Sequence, residues 1–521
     1  MHRSTPVSPM HAVSAFARGA MARAQDAATV ALRTVEPLAT LPPPKPYHDE
    51  LYERYCLSPT STAVINTPQY ARLRDLKQLG VANYVFTNAT HTRYEHALGV
   101  AHLSRTWADA LNASAPPPCR VPPSHLLAVE VAGLVHDLGH GPLSHTFESV
   151  VHALCAQRGH PPSCPCRAWT HEWSSVWMVA HLRAANPSVD ATLAAELAGM
   201  AVAATESEVP PLADVHVFWR VVVQLLLGWD RAAAPMDWRW DDALLPPRAA
   251  WLALIVANHA TGVDVDRVDY ATRDARACVQ PLAYSARALR DAARVVLHDG
   301  AATIAFDARA HTTVQALFQQ RAALFRQAYY HAVVRGIEQL MKDALLSAAP
   351  HVFLPVAEGV AVPLADAIWF PAAWTHCGDW ILGALRASSE PALAPARALL
   401  ARVDRREHFR CLGEWQLSGA PVPLLAPRLP SDTSGLAPAD AAARLGAAMA
   451  ARGVPSAAWT WEAPRITNGS SGAPLLLFRK GGEICHDLAP SVPRQETVLL
   501  RVYLRDEAWR AQAEAAARAC T

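Results

Sequence analysis

The stretch Val131-Ala132-Gly133-Leu134-Val135-His136-Asp137-Leu138-Gly139-His140-Gly141-Pro142 constrains the fold more than any other part of the chain. Its apolar beginning reads as a buried helix, and Gly141-Pro142 cannot continue one. His136 and Asp137 are therefore expected side by side at the end of a core helix, with His140 one turn on and facing the same way as His136. A neutral imidazole and a carboxylate delivered together by a rigid element suit Mg²⁺ or a first-row transition metal. A bare His-Asp pair reads first as a helix cap, so a metal site depends on its company.

That company exists. Arg93-Tyr94-Glu95-His96 opens an apolar-periodic stretch through Leu98, Ala101 and Leu111, which puts His96 at a helix start. Asp264-Val265-Asp266-Arg267-Val268-Asp269-Tyr270 continues a helix on which Asp266, Tyr270 and Asp274 share a face. That face is polar, so it is either solvated or the wall of a site. Helical spacing runs from Tyr70 to Leu111, Leu126 to His140, His171 to Ala184, Trp251 to Asp274 and Thr312 to Ser347. Ala115 to Pro123 and the Pro/Cys-rich Gly159 to Arg167 read as surface loops. After Pro350, runs such as Pro474 to Phe478 and Thr497 to Leu504 look like strands, ahead of a final Ala-rich helix. Residues 416 to 470, rich in Ala, Pro, Ser and Gly, are expected to hold mobile loops. The fold class expected is mainly α, a helical core with a smaller mixed α/β C-terminal lobe.

A chain of 521 residues exceeds one ordinary core, which fits that division. Lys+Arg 47 against Asp+Glu 46 argues against a general nucleic-acid or membrane-surface binder, so an anionic ligand has to be met by placed cations. Ten Cys, scattered apart from Cys164 and Cys166, fit an intracellular protein with reduced thiols. Cys155, His160, Cys164 and Cys166 invite a zinc reading, but Cys-Pro-Cys is not the usual Cys-x-x-Cys and a loop with incidental thiols is expected. The longest apolar run, Val221 to Leu227, is too short for a membrane span, so a soluble protein is expected. Ahead of Asp26, Arg3, Arg18 and Arg23 stand among Ser and Ala, a composition that transit peptides share, although a flexible tail is the simpler reading. Leu41-Pro42-Pro43-Pro44 closes that tail as a linker.

The order His96, then His136-Asp137, then Asp266 resembles the H…HD…D pattern of the HD superfamily, whose members hold one metal, or a pair with additional ligands, on these positions. Asn66 to Tyr70, Arg72-Leu73-Arg74, Lys77-Gln78-Leu79-Gly80, His91 to Gly99, His136 to Phe147, Trp169-Thr170-His171-Glu172, Gly262 to Asp274 and Arg321 to His331 resemble the SAM and HD domain-containing deoxynucleoside triphosphate (dNTP) triphosphohydrolases. The likeness continues, more weakly, through Ala398 to Glu414 and Leu500 to Cys520. On this reading residues 1–44 are a flexible segment, 45–347 an HD phosphohydrolase domain and 348–521 the C-terminal lobe, with no room for the family's separate SAM domain.

The resemblance implies hydrolysis of a dNTP to a deoxynucleoside and inorganic triphosphate, dependent on divalent Fe, Mn, Mg or Zn. His96, His136, Asp137 and Asp266 would be metal ligands. Arg93, His140, Arg267 and Arg321 would contact phosphates, and His171 would be the general acid, completing a catalytic set with Arg93 and His140. Gln78, Asp274 and Tyr329 would hold the sugar 3′-hydroxyl, with Leu79 and Tyr270 near sugar and base and His145 beside the deoxyribose. A Tyr against C2′ would leave no room for a 2′-hydroxyl.

Some positions depart from the family. Its Leu-His-Arg-Arg-Ala-Tyr-Gln-His is Leu324-Phe325-Arg326-Gln327-Ala328-Tyr329-Tyr330-His331 here, which alters the base side at Phe325 and Tyr330. Arg267 replaces a lysine, keeping the cation as a planar fork. At the nucleotide-dependent activation site, Asn66 and Ala71 replace the guanine-reading Asp and Gln, and His48 to Glu53 replaces Asn-Asp-Pro-Ile-His-Gly. Ser285, Ala288 and Asp307 stand where the family has an Asp and two Arg, while Lys45, Arg74, Val85 and Arg406 remain as a remnant of that site. Nucleotide-triggered assembly is therefore expected to be lost or rewired in a dimer or tetramer of the nucleus or cytoplasm, with at most weak single-stranded nucleic-acid binding and no membrane. Two other functions stay open: an HD phosphohydrolase acting on another nucleotide, and a non-catalytic HD-derived module binding nucleic acid or protein.

Overall fold

The computed structural model describes residues 38, 40–161, 164, 166, 169–201, 207–228, 240–418, 437–467, 476–479 and 496–520. The tail expected at the N-terminus, through residue 37, lies outside the described residues, as do Arg167 and residues 419–436 of the Ala/Pro-rich stretch.

The chain opens on an antiparallel hairpin, β1 (Lys45–Asp49) and β2 (Glu53–Leu57). Ser58 then caps α1 (Pro59–Ile65), with proline at the helix start where its missing N–H costs nothing. A long helix, α2 (Arg93–Ser114), begins at a capping box in which the Glu95 carboxylate accepts the Thr92 N–H at 2.9 Å. Next comes α3 (Pro123–Val135), buried at every position from Ser124 to Val135, so its apolar run is the centre of the core rather than one face of it. Around it lie α4 (His145–Gln157), α5 (His171–Ala185), α6 (Pro187–Ala201) and α7 (Val215–Leu227). The core is completed by α8 (Val265–Ala277), the hairpin of β3 (Ala293–His298) and β4 (Ala301–Asp307), α9 (His311–Leu324) and α10 (Ala332–Ala348).

Several expected helices are interrupted where local chemistry outweighs periodicity. Between Tyr70 and Thr92 there are only short turns, with Leu76 extended, Gly80 at φ 51° and an isolated bridge between Lys77 and Thr92. The run from Trp251 to Asp274 breaks after Val256, because Asp264 caps a new helix by accepting the Arg267 N–H at 2.8 Å. A widened π turn, Phe325–Tyr329, interrupts the run from Thr312 to Ser347. The helix before His136 ends at Val135, so His140 lies in a turn and not one helical turn beyond His136. The Ala115 to Pro123 loop is no surface loop throughout: Ala115, Cys119 and Val121 are buried, and Trp251 donates its indole N–H to the Cys119 carbonyl at 3.0 Å.

The C-terminal part begins with the hairpin β5 (Phe353–Ala357) and β6 (Val360–Pro363), followed by α11 (Ala394–Asp404). Then come β7 (Arg410–Ser418), α12 (Pro438–Ala450), β8 (Trp459–Glu462), β9 (Arg465–Thr467), β10 (Leu477–Phe478), β11 (Glu496–Leu504) and α13 (Arg510–Cys520). β11 runs antiparallel to β7, β8 and β9, whereas β10 joins the other sheet, parallel to β4. The 416 to 470 stretch thus contains a helix and three strand segments among its described residues.

Packing divides the chain later than composition does. Leu354, Trp374, Ile381, Leu400 and Phe409 belong to the large helical core, and a separate small core forms from Trp415, Leu445, Met449, Leu500, Val502 and Ala513. The fold is mainly α, a large helical core with a smaller mixed α/β lobe. No described helix is long and apolar enough to cross a membrane.

Candidate active site

Three elements converge on one point: the first turn of α2 supplies His96, the end of α3 supplies His136 and Asp137, and the first turn of α8 supplies Asp266. Helices α2 and α8 approach closely because Gly99 faces Asp269, where a Cβ would lie 2.2 Å from Oδ1. His96 Nε2 stands 3.2 Å from His136 Nε2, 3.1 Å from Asp266 Oδ1 and 3.6 Å from Asp137 Oδ2. His136 Nε2 lies 3.4 Å from Asp137 Oδ1 and 3.5 Å from Asp266 Oδ1. Ligand atoms about 2.0–2.2 Å from one ion are separated by roughly 3.0–3.5 Å, so this spacing fits a single divalent cation.

Both imidazoles are oriented for that role. His96 Nδ1 meets Asp269 Oδ2 at 2.7 Å and His136 Nδ1 meets the Gly133 carbonyl at 2.8 Å, which leaves each Nε2 directed at the cluster. Asp269 is itself held by Arg273, with Nε and Nη2 each at 3.0 Å, and by the Tyr52 hydroxyl at 2.8 Å. Burial disfavours charge on His96, but Asp266, Asp269 and Asp137 outweigh it and push the imidazole up to about 10. The cluster is thus an electronegative pocket that favours a cation.

The turn carrying Asp137 is clamped from several sides. Arg72 is buried and bonds the carbonyls of Leu138, at 2.5 Å, His140, at 2.7 Å, and Cys377, at 2.9 Å. Ser175 Oγ donates to the His136 carbonyl at 2.6 Å and accepts the Gly139 N–H at 2.8 Å. Gly139 is obligatory there, since a Cβ would lie 2.0 Å from the His171 carbonyl. Leu143 and Ser144 sit at φ 60° and 55°, a conformation that side chains rarely adopt, and Ser144 is fixed by Arg93 Nε at 2.8 Å. Arg93 also bonds Asp137 Oδ2 at 2.5 Å.

A cavity of about 540 Å³ opens from the cluster. Its lining contains Gln78, Leu79, Arg93, His96, Asp137, His140, His145, His171, Asp266, Arg267, Tyr270, Asp274, Arg321, Tyr329 and Tyr330, which is every active-site residue expected from the sequence except His136. His171, at the start of α5, stacks on His140 with ring centroids 3.8 Å apart and places Nδ1 2.5 Å from Glu148 Oε1. Burial lowers the His171 proton affinity, but Glu172 and Glu148 reverse this and raise it to about 9. Burial and the cations Arg93 and His171 hold His140 neutral.

At the far end, Asp274 accepts the Tyr329 hydroxyl at 2.5 Å and stands 2.8 Å from His91 Nε2. Arg321 donates to the Tyr270 hydroxyl at 2.9 Å, to the Thr467 carbonyl at 2.8 Å, and lies 4.2 Å over the Phe325 ring. Arg267 turns back on its own helix start, bonding the Gly262 carbonyl. The four residues expected as a remnant of an activation site line no part of the cavity: Lys45 is exposed on β1, Arg74 stacks 3.5 Å from the Tyr94 ring centroid, Val85 is half-buried and Arg406 is exposed.

Asp269, Glu148 and Arg72 were not singled out from the sequence. Asp269 had a signal, an Arg273 four residues on in a segment already suspected; Glu148 and Arg72 act through partners distant in the chain. The thiol cluster also departs from expectation. His160 Nδ1 lies 3.0 Å from Cys166 Sγ and 3.4 Å from Cys164 Sγ, and the ligand atoms of Cys155, His160 and Cys166 lie within 4.8 Å of one another.

Residues 93–162 match the HD domain family. The chain is 31% identical over 376 residues to the deoxynucleoside triphosphate triphosphohydrolase SAMHD1 of Homo sapiens, a match covering 72% of this chain and 56% of that protein. It is 30% identical over 378 residues to the Danio rerio protein of the same name, covering 71% and 56%. The SAMHD1 homolog of Dictyostelium discoideum is 28% identical over 350 residues, covering 67% and 56%. The chain therefore spans little more than half the length of these relatives.

Proposed function

From the premise that this chain is an HD-domain protein related along about 70% of its length to deoxynucleoside triphosphate triphosphohydrolases, we propose that it hydrolyses dNTPs to a deoxynucleoside and inorganic triphosphate, lowering the deoxynucleotide pool. The observation that carries this reading is one cavity with three chemistries in sequence: the His96, His136, Asp137 and Asp266 cluster, the cations Arg93, Arg267 and Arg321, and the Asp274–Tyr329 pair with Gln78.

A divalent ion held by the four ligands would supply Lewis-acid polarisation and charge neutralisation at the α-phosphate. Arg93, anchored to Asp137 and Ser144, is fixed to meet phosphate oxygens without reorganising. As water adds to the α-phosphorus the bond to O5′ breaks, and His171 gives its Nε2 proton to that oxygen. Glu148 on Nδ1 orients the ring, and Glu172 and Glu148 together keep it charged at neutral pH. Asp274, sharing the Tyr329 hydroxyl, offers an acceptor for a sugar 3′-hydroxyl, and Leu79 and Tyr270 give apolar walls for sugar and base.

Nucleotide control is read as lost or rewired, because Asn66 presents an amide where a carboxylate would accept both guanine donors, and Ala71 has no side-chain hydrogen-bonding group. A second reading, hydrolysis of another nucleotide at the same metal cluster, is favoured by Phe325 and Tyr330, whose rings lie 5.5 Å apart by the cavity. Metal-supplemented turnover of each dNTP with identification of the product separates the two. Free triphosphate supports the first reading, and free phosphate or pyrophosphate the second. His136→Ala and Asp137→Ala should each reduce turnover by about 10³-fold or more. Absence of turnover with Mn²⁺, Fe²⁺ or Mg²⁺ would leave a non-catalytic binding module as the better account.

A further inference from the structure

Helix α4 ends in a turn that folds the chain back over its own last residues. Gly159, at φ 68°, takes the left-handed conformation, and the His160 N–H reaches the Cys155 carbonyl at 3.1 Å, which sets His160 above Cys155. A second turn, with the Cys164 N–H on the Pro161 carbonyl at 2.8 Å, returns Cys164 and Cys166 to the same place. The ligand atoms of Cys155, His160 and Cys166 lie within 4.8 Å of one another. Cys164 Sγ stands 3.0 Å from Cys166 Sγ and 3.4 Å from His160 Nδ1. Cys155 and Cys166 are buried, and none of the three cysteines is in a disulfide.

Cys155, His160 and Cys166 form one close group, Cys164 adjoins two of its members, and three soft sulfurs with one imidazole are the donor set of a closed tetrahedral zinc site. With Zn–S about 2.3 Å and Zn–N about 2.0–2.1 Å, ligand atoms lie roughly 3.5–3.8 Å apart, inside the range seen here. The spacing Cys-x-Cys looked wrong in sequence because a Cys-x-x-Cys knuckle supplies both its sulfurs from one turn. Here the helix end and two successive turns share the work.

We propose that Cys155, His160, Cys164 and Cys166 bind one structural zinc ion that ties the end of α4 to the segment entering α5. All four positions are protein ligands, so the ion has no open site and takes no part in turnover directly. Its place in the fold gives it a consequence: α4 carries Glu148 two turns before Cys155, and α5 begins with His171 five residues after Cys166. The ion would therefore brace the connection between the general acid and the carboxylate that holds its proton.

The test uses the full chain produced in cobalt-supplemented, zinc-depleted medium. Tetrahedral cobalt bound by thiolates gives intense visible bands and sulfur-to-metal charge transfer, which the HD cluster of two His and two Asp cannot give because it contains no sulfur. The expected result is those bands in the wild type and in Asp137→Ala, and their loss in the Cys164→Ser/Cys166→Ser variant. In zinc-replete protein, the double variant should lose one equivalent of zinc that Asp137→Ala retains. A wild-type protein without the thiolate bands overturns the proposal, as does an unchanged zinc content in the double variant. Non-reducing mass spectrometry of the freshly purified wild type showing a Cys164–Cys166 disulfide would overturn it as well.

Discussion

Replacing Asp269 by Asn isolates the buried support of the metal cluster. Asp269 is fully buried, and its Oδ2 faces His96 Nδ1 at 2.7 Å and Arg273 Nε at 3.0 Å, while Oδ1 accepts from Tyr52 Oη at 2.8 Å and Arg273 Nη2 at 3.0 Å. Asn keeps the volume but turns one acceptor into a donor. Pointed at His96, the amide nitrogen would face two donors, so it turns toward Tyr52, whose hydroxyl can reverse its role. Arg273 then loses its nearest counter-charge and keeps Asp49 at 3.1 Å. His96 still finds an acceptor, but a neutral one, which makes Nε2 a weaker ligand. Losses of this kind cost about 10–100-fold in metal affinity, or ~1.4–2.7 kcal/mol, and the weakened pairing of Arg273 costs about 1–3 kcal/mol of stability. The assay is a calorimetric Mn²⁺ titration at fixed pH beside a thermal unfolding curve, with turnover measured at saturating metal. The metal isotherm should weaken by about 10–100-fold while saturating metal restores most of the turnover. A folded variant that binds Mn²⁺ as tightly as the wild type would refute the reasoning, and so would a turnover defect that no metal concentration repairs.

His171, raised to about 9, stays protonated through neutrality, so turnover should hold below that pH and fall as pH rises through about 9. The same sign governs stability: the contribution is complete below the unfolded value of about 6.5 and is lost as pH rises through about 9. Glu148→Gln should move the alkaline limb of the rate profile down by about one unit, and a limb that stays in place assigns the acid elsewhere. Gly99→Ala puts a methyl 2.2 Å from Asp269 Oδ1 and 2.6 Å from Arg273 Nη2, which should lower stability by about 1–3 kcal/mol in a denaturant titration; an unshifted midpoint contradicts the close approach of α2 and α8. Hydrolysis of dATP should proceed without GTP, measured by triphosphate release, and strict GTP dependence would count against the rewired control.

The residues that gather at the cluster were legible in the sequence because each is tied to a local pattern. His96 follows a capping box, His136-Asp137 ends an apolar run, and Asp266 follows the capping Asp264. The elements were legible where periodicity acted alone, as in α5 and α10, and illegible where capping cut across it. Asp264 starts a helix inside a run that looked continuous, and the π turn at Phe325–Tyr329 swings Tyr329 toward Asp274 in a segment whose pattern reads as unbroken helix. The limit of the large core was hidden for a related reason. Composition changes near Pro350, but Trp374 reaches back to the Gly139 carbonyl at 3.1 Å and Asp379 takes the Leu143 N–H at 2.7 Å, contacts that join segments more than two hundred residues apart.

Those two contacts bear on how the site is built. The Asp137 turn is held by Arg72 from before it, Ser175 from α5, and Trp374 and Asp379 from the region that composition assigned to a separate lobe. A ligand on a turn needs such bracing, since a turn has no internal hydrogen-bond ladder to fix its carbonyls and amides. Braced in this way, the turn presents Asp137 and His140 together, with Asp137 Oδ1 3.3 Å from His140 Nε2. The same logic applies to His171, which stands at a helix start with Glu148 on the neighbouring helix 2.5 Å from Nδ1 and Glu172 3.5 Å from Nε2. Its position rests on the connection between α4 and α5, the segment where the thiols and His160 gather. The motifs that bring the ligands and the long-range contacts that hold them are therefore separable features of the sequence.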